Sequence, residues 1–210
     1  MSIDIFRAAN KLDAEVIANL VNMAYRSKSA APGWTQESDL VSGSRTNIDQ
    51  VVDIISKPDS VILLGIKGSE IVACIHIEKD GSNSYIGMFA VNPTLQGAGF
   101  GKQMLAYAEW YASGNFSSDK FIMVVVSSRS ELISFYQRRG YQKTGSIMDY
   151  PLSAGAGVPK QTGLKIEILE KRPDITVKRD ALDMRPINQE HYERSRRYRS
   201  RGGNTSHTTY

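Results

Sequence analysis

Between Tyr85 and Tyr111 the chain changes character twice, and the change limits what it can fold into. Tyr85 to Val91 is short, aromatic and β-branched, and turn formers bound it, so it is expected to be a strand. Asn92 and Pro93 turn the chain into Gln96, Gly97, Ala98, Gly99, Phe100 and Gly101. From Lys102 the apolar residues Met104, Leu105, Ala108 and Tyr111 recur at helical spacing. The result is a strand, a glycine-rich turn and a helix. Free N–H groups and a partial positive charge at such a helix start suit a polyanion, and glycines let it approach the backbone. An ordinary flexible turn is the competing reading.

The spacing narrows the choice of anion. No Lys-Ser or Lys-Thr follows the glycines, which excludes a P-loop, and Gly97, Gly99 and Gly101 alternate, which does not fit the dinucleotide fingerprint GxGxxG. Gln96-x-x-Gly99-x-Gly101 instead resembles the acyl-CoA pyrophosphate loop of the GNAT superfamily of N-acetyltransferases. Downstream, Phe135-Tyr136-x-x-x-Gly140-Tyr141 resembles that family's F-Y-x-x-x-G-(F/Y) signature. The resemblance spans roughly Ile3 to Lys171. It implies an α/β fold with a mixed, mainly antiparallel central sheet of about seven strands, one parallel splayed pair and about four flanking helices.

Other elements follow from local pattern. Ile3, Ile5 and Phe6 suggest a first strand, and Asn10 is placed to cap a helix with Leu12, Val16, Ile17, Leu20 and Met23 on its apolar face. That helix should end before Ala31-Pro32-Gly33. Ile48, Val51, Val52 and Ile55 mark a second helix, and Val61 to Ile66 with Ile71 to Ile77 form an expected hairpin. Phe121 to Val126 should be a buried strand parallel to the one ending at Val91. Ser128-x-x-Glu131 has capping-box form, and Gly140 is placed to end the helix that follows. Tyr141 to Tyr150 and Leu164 to Leu169 are the expected last strands, joined by the glycine-rich stretch from Ser153 to Gly163.

The resemblance also assigns residues. The backbone of Phe89, Ala90 and Val91 would pair with the pantetheine arm of acetyl-CoA, and Gln96, Gly97, Ala98, Gly99, Phe100, Gly101 and Lys102 would hold the pyrophosphate. Tyr136 would lie near the sulfur and protonate the departing thiolate; packing in the core beside Phe135 is the alternative. Seven residues before Tyr136, where the family often has asparagine, stands Arg129, placed to reach a CoA phosphate or to face water. No acid lies between Tyr85 and Val91 to act as general base, which leaves Glu78 and His76 on the preceding strand, and Glu37 and Asp39, as candidates, with a water chain as the alternative. Trp34, Glu37 and Arg45 occupy the stretch between the first two helices where these enzymes form the acceptor wall. Such a trio suits an organic cation or an amino acid with its carboxylate, whereas a tryptophan plugging the core is the structural alternative. No metal is implied.

Charge separates two parts of the chain. Of 26 Lys and Arg against 22 Asp and Glu, ten and five respectively fall from Lys171 onward, so the basic excess is in the tail. The expected division is a domain over residues 1–172 and a basic, disordered tail over 173–210. Arg194 to Arg201, with Tyr198 interleaved, suits a nucleic acid or acidic surface, although most such tails are simply solvated. The single Cys74 excludes an internal disulfide and is expected to be a small buried hydrophobe. Met1 to Asn10 lacks a long apolar core and no apolar run approaches the ~20 residues of a spanning helix, so a cytoplasmic, membrane-free protein is expected, monomeric or homodimeric. The expected activity is acetyl transfer from acetyl-CoA to a small-molecule or protein amine. A non-catalytic acyl-CoA sensor and a nucleic-acid-binding protein acting through its tail are the rival classes.

Overall fold

The computed structural model describes residues 1–26 and 36–174. β1 (Ile5–Ala8) leads through a short turn into α1 (Ala14–Arg26). Asn10 caps this entry: its Oδ1 accepts from Leu12 N at 2.9 Å, and its own N–H donates to Asp13 Oδ2 at 2.8 Å. Arg7 grips both Asp13 oxygens at 2.7 Å and ties β1 to the helix. The buried face of α1 differs from the expected one. Ala14, Ile17, Ala18, Leu20, Val21, Ala24 and Tyr25 are buried, while Leu12, Val16 and Met23 face outward. Three alanines let the helix lie close on the sheet, so residue size rather than hydrophobicity sets the packed face.

β2 (Val41–Ser42) precedes α2 (Ile48–Ser56), which opens on a capping box of Asn47 and Gln50 and buries Val51 completely. β3 (Ser60–Lys67), β4 (Glu70–Asp80) and β5 (Asn83–Val91) form an antiparallel meander, and α3 (Phe100–Asn115) crosses over to β6 (Lys120–Val126). Next come α4 (Ser130–Gln137), β7 (Gln142–Asp149), β8 (Val158–Pro159) and β9 (Lys165–Lys171). The main sheet has seven strands in the order β1-β3-β4-β5-β6-β9-β7, and only β5 and β6 are parallel.

Helices cover both faces. α3 and α4 pack Phe100, Met104, Leu105, Leu132, Ile133 and Tyr136 against Leu63, Ile75 and Ile77, while α1 and α2 cover Ile62, Leu64 and Cys74. Successive strand residues point to opposite cores, which is why these strands are continuously apolar.

Two further local expectations change. β2 and β8, from the segments expected to be irregular, pair as Val41 with Pro159 and Ser42 with Val158. Ser128 does not cap α4: the helix begins at Ser130 behind Arg129 without a side-chain cap, and Glu131 instead accepts from Arg129 Nε at 2.5 Å, a charge-assisted bond that outcompetes a neutral cap. At its other end Gly140, at φ +89°, closes the helix as expected. Tyr141 N donates to Tyr136 O at 3.2 Å and Gly140 N to Gln137 O at 3.0 Å, a Schellman arrangement that stacks the Tyr136 and Tyr141 rings edge to face. The expected tail lies outside the described residues apart from its first two.

Candidate active site

β5 and β6 run side by side only at Asn83–Lys120, Ser84–Phe121 and Tyr85–Ile122. Beyond Tyr85 they separate, and the cause lies in β5. Between the pairs His76–Gly87 and Cys74–Ala90, one residue of β4 faces two of β5, a bulge in which Met88 takes φ +42°. Non-glycine residues seldom adopt that conformation, and it bends β5 away from its parallel neighbour. Part of the freed edge is engaged internally: Tyr25 on α1 donates its hydroxyl to Phe89 O at 2.9 Å, and Gln96 Nε2 folds back onto Val91 O at 3.1 Å.

The glycine turn follows directly. Gly97 and Gly99 have φ of +82° and +90°, and Gly99 starts α3 with no side-chain cap. None of the backbone N–H groups from Gly97 to Lys102 has a hydrogen-bond partner among the described residues, so the turn presents a row of free donors beside a helix start. They border a cavity of about 220 Å³ lined by Phe89, Val91, Gln96, Gly97, Gly99, Gly101, Lys102, Leu132, Phe135, Arg138 and Arg139. Ala90 and Phe100 turn their side chains into the two cores. Lys102 and Arg138 are exposed at the rim, and Arg139, stacked 3.4 Å from the Phe135 ring centre, has its Nε buried without a partner. Spare cationic and amide donors around an apolar trough fit a ligand with phosphates and a thin chain, as the CoA portion of acetyl-CoA has.

Arg138 and Arg139 were not singled out in the sequence. Their signal was present, as two of the three variable positions inside the Phe135-to-Gly140 motif, beside the glycine loop in the cavity lining. Arg129, which was singled out, lies elsewhere. It is buried between Glu131 and Glu37, whose Oε1 is 3.7 Å from its guanidinium, and it does not line the cavity. Two carboxylates hold it there, so it neither faces water nor reaches the loop.

Tyr136 is buried, and its hydroxyl makes no hydrogen bond with a described residue. Burial pushes its pKa well up, Tyr25 and Tyr85 add to the rise, and Arg129 opposes it, so it keeps its proton throughout the physiological range. Tyr85 leans along its own strand, where a Cβ on Gly87 would meet its ring at 2.7 Å. Neither Tyr25 nor Tyr85 stood out in the sequence; only the fold gathers them around Tyr136.

The base candidates separate. His76 is buried, its Nε2 lies 2.8 Å from Ser60 Oγ, and burial lowers its pKa to about 4. Glu78, on the same face and opposite Tyr85 in register, is more open and meets Lys57 at 3.1 Å and His76 at 3.8 Å. Asp39 is exposed. Glu37 is buried and takes Arg26 at 3.1 Å as well as Arg129, so its charge is already matched. Arg45 is half-buried, 5.4 Å from the Tyr25 ring centre. Trp34 lies outside the described residues. Cys74 is fully buried and burial pushes its thiol pKa up, as suits a packing residue. Among the described residues there is no cluster of metal-ligating side chains.

A family model described as the acetyltransferase (GNAT) domain matches residues 58–143, from the start of β3 through α4 into β7. Over that stretch the chain is similar to the GNAT domain. Solved structures extend the likeness to the whole fold. An N-acetyltransferase from Staphylococcus aureus Mu50 superposes with a TM-score of 0.61 at 16% identity, over 80% of this chain and 96% of that one. The ribosomal-protein-S18-alanine N-acetyltransferase of Escherichia coli gives 0.59 at 12% identity, over 80% and 92%. A chimeric spermidine N-acetyltransferase of Vibrio cholerae and hSSAT gives 0.58 at 13% identity, over 86% and 98%. At these identities the likeness is one of fold. No curated protein is similar enough in sequence to match. The GNAT fold of this chain thus comprises the seven-stranded mixed sheet with its one parallel pair and the four helices around it.

Proposed function

We propose that the protein transfers the acetyl group of acetyl-CoA to a primary amine, on a small molecule or a protein, by direct attack of the amine. The observation that carries this reading is the continuity of the row of free backbone donors at Gly97 to Lys102 with the cavity along Phe89 and Val91 where β5 leaves β6. Gly97 to Lys102, with Arg138 and Arg139, hold the phosphates, and the edge from Phe89 to Val91 aligns the pantetheine arm. Bound acetyl-CoA supplies a thioester carbonyl open to nucleophilic attack.

The protein then has two protons to move. Glu78 accepts one from the incoming ammonium, through water at the open end of β4, because His76 is buried and already engaged by Ser60. As the C–S bond breaks, Tyr136 donates its hydroxyl proton to the leaving sulfur, and the second N–H proton, lost from the adduct as the amide forms, passes through water to restore the Tyr136 hydroxyl. Arg45 borders the acceptor, and Glu37 braces that wall through Arg26 and Arg129 rather than contacting the amine. The test is a screen of amines with acetyl-CoA that follows free thiol. Release that depends on both the amine and Glu78 supports the reading. Thiol release that no amine accelerates would tell against it, and a Glu78→Gln variant retaining more than about a third of wild-type kcat would remove the base.

A further inference from the structure

Arg45 differs from the other cations of the acceptor wall in having no counter-charge among the described residues. Arg26 donates to Glu37, Gly43 O and Ala156 O, and Arg129 lies between Glu37 and Glu131. The acids are equally occupied, Glu37 by two arginines and Glu78 by Lys57. Among the described residues the guanidinium of Arg45 has no ion-pair or hydrogen-bond partner, although it is half-buried. Its place is nonetheless fixed. Asn22 on α1 accepts from Arg45 N at 2.7 Å and donates to Thr46 O at 2.9 Å, which clamps the backbone, and the Tyr25 ring supports the charge at 5.4 Å.

Tyr25 also connects this charge to the reaction. Its hydroxyl is bonded to Phe89 O, on the strand edge assigned to the pantetheine arm, so one side chain separates Arg45 from that edge. The charge of Arg45 opposes the burial-driven rise of the Tyr25, Tyr85 and Tyr150 hydroxyls and adds to the lowering at His76, so it bears on groups of α1, β5, β4 and the residue after β7. A half-buried, clamped cation with no counter-charge among the described residues is a seat for a ligand oxyanion, and a guanidinium fork fits a carboxylate. Of the acids in this stretch, Asp39 alone has no ion pair among the described residues, and it is exposed, so the buried part of the wall offers no spare acid for a second ammonium. A polycation would meet Arg45 unopposed.

We propose that the acceptor is a primary amine bearing a carboxylate, an amino acid or a close derivative, with Arg45 binding the carboxylate. This rests on the transferase reading and narrows its acceptor. The test compares amines differing only in the carboxylate, phenylalanine with phenethylamine, lysine with cadaverine and glycine with methylamine, together with spermidine, on the full chain at saturating acetyl-CoA. At least one acid should exceed its partner in kcat/KM by about ten- to a hundred-fold, the range of a charge-assisted bond. Arg45→Gln should bring that ratio close to one while the KM for acetyl-CoA and the melting temperature hold, and Arg45→Lys should restore part of it. A wild-type preference for a decarboxylated amine or spermidine, or a ratio that survives in Arg45→Gln, would overturn the inference and leave acetyl transfer intact. If no amine is turned over, the transferase reading falls, and calorimetry of the three acids on the CoA-loaded chain decides the subsite. Binding lost in Arg45→Gln supports it, and absent binding overturns it.

Discussion

Tyr136 carries a proton that no described residue claims, and its burial keeps that proton in place. Tyr136→Phe keeps the ring against Tyr141 and Phe135, so stability should change little, whereas kcat should fall by the ~10²-fold typical of a lost general acid with the KM for acetyl-CoA nearly kept. A loss below about threefold, with chemistry rate-limiting, would return Tyr136 to packing alone. His76 makes a prediction about stability. Its folded pKa of about 4 lies below the ordinary 6.5, so between those values the unfolded chain binds more protons. Stability should therefore be full above pH 6.5 and decline by up to roughly 3 kcal/mol as pH falls toward 4. Urea melts across that range should show a shallower acid limb in His76→Gln; an unchanged limb would place the titration elsewhere. Single residues were legible where a motif fixed their backbone, as with Gln96, Gly99 and Tyr136. Arg129 was not, because its position is decided by Glu37, 92 residues away, and no local pattern records that pairing.

At the scale of elements, the glycine turn gives a cleaner test at Gly101 than at Gly99. Gly99 sits at φ +90°, where any side chain strains the backbone, so its replacement confuses binding with folding. Gly101 has an ordinary conformation, and a Cβ there would meet Phe89 Cζ at 3.5 Å and Phe135 Cζ at 3.6 Å in normal contact. The methyls of Gly101→Val would instead enter the gap between those rings, which line the cavity. Calorimetry should show acetyl-CoA affinity reduced by about tenfold or more in a folded protein; unchanged affinity would remove the cradle. Strand, turn and helix were readable here because each has its own period and the glycines punctuate them. The face of α1 was misjudged because alanines carry little hydrophobic signal yet permit the closest approach. β2 and β8 were invisible because a pairing of two residues, Val41–Ser42 with Val158–Pro159, is dictated by what surrounds it. The bulge at Met88 left no mark either, since no glycine or proline announces it.

Across the whole molecule, the Arg26–Glu37–Arg129 cluster joins parts of the chain that share no main-sheet pairing. Arg26 ends α1, and through Gly43 O and Ala156 O it also holds the segments carrying β2 and β8. Both guanidinium groups are mostly buried, so Glu37→Gln would leave two cations without their shared carboxylate. Removing one partner of a buried pair costs about 3–5 kcal/mol, which corresponds to a melting temperature lower by roughly 10 °C in a protein of this size. A scanning calorimetry shift under about 2 °C would mean that solvent screens the cluster. The fold class, the order of elements and the parallel pair were legible along the chain because they follow from alternating strand and helix periods. How Arg45 is held was not, since its partners Asn22 and Tyr25 come from α1, and no local pattern records that pairing. The account as a whole depends on the acetyl group reaching an amine rather than merely being bound. Mass spectrometry of amines incubated with the protein and isotopically labelled acetyl-CoA tests this directly: one labelled acetyl group should appear on the amine for each thiol freed, with about a tenth as much label or less for Gly101→Val at the same acetyl-CoA concentration below saturation. Saturable binding of acetyl-CoA by the folded protein, with no label on any amine, would contradict it and leave an acyl-CoA-binding protein in its place.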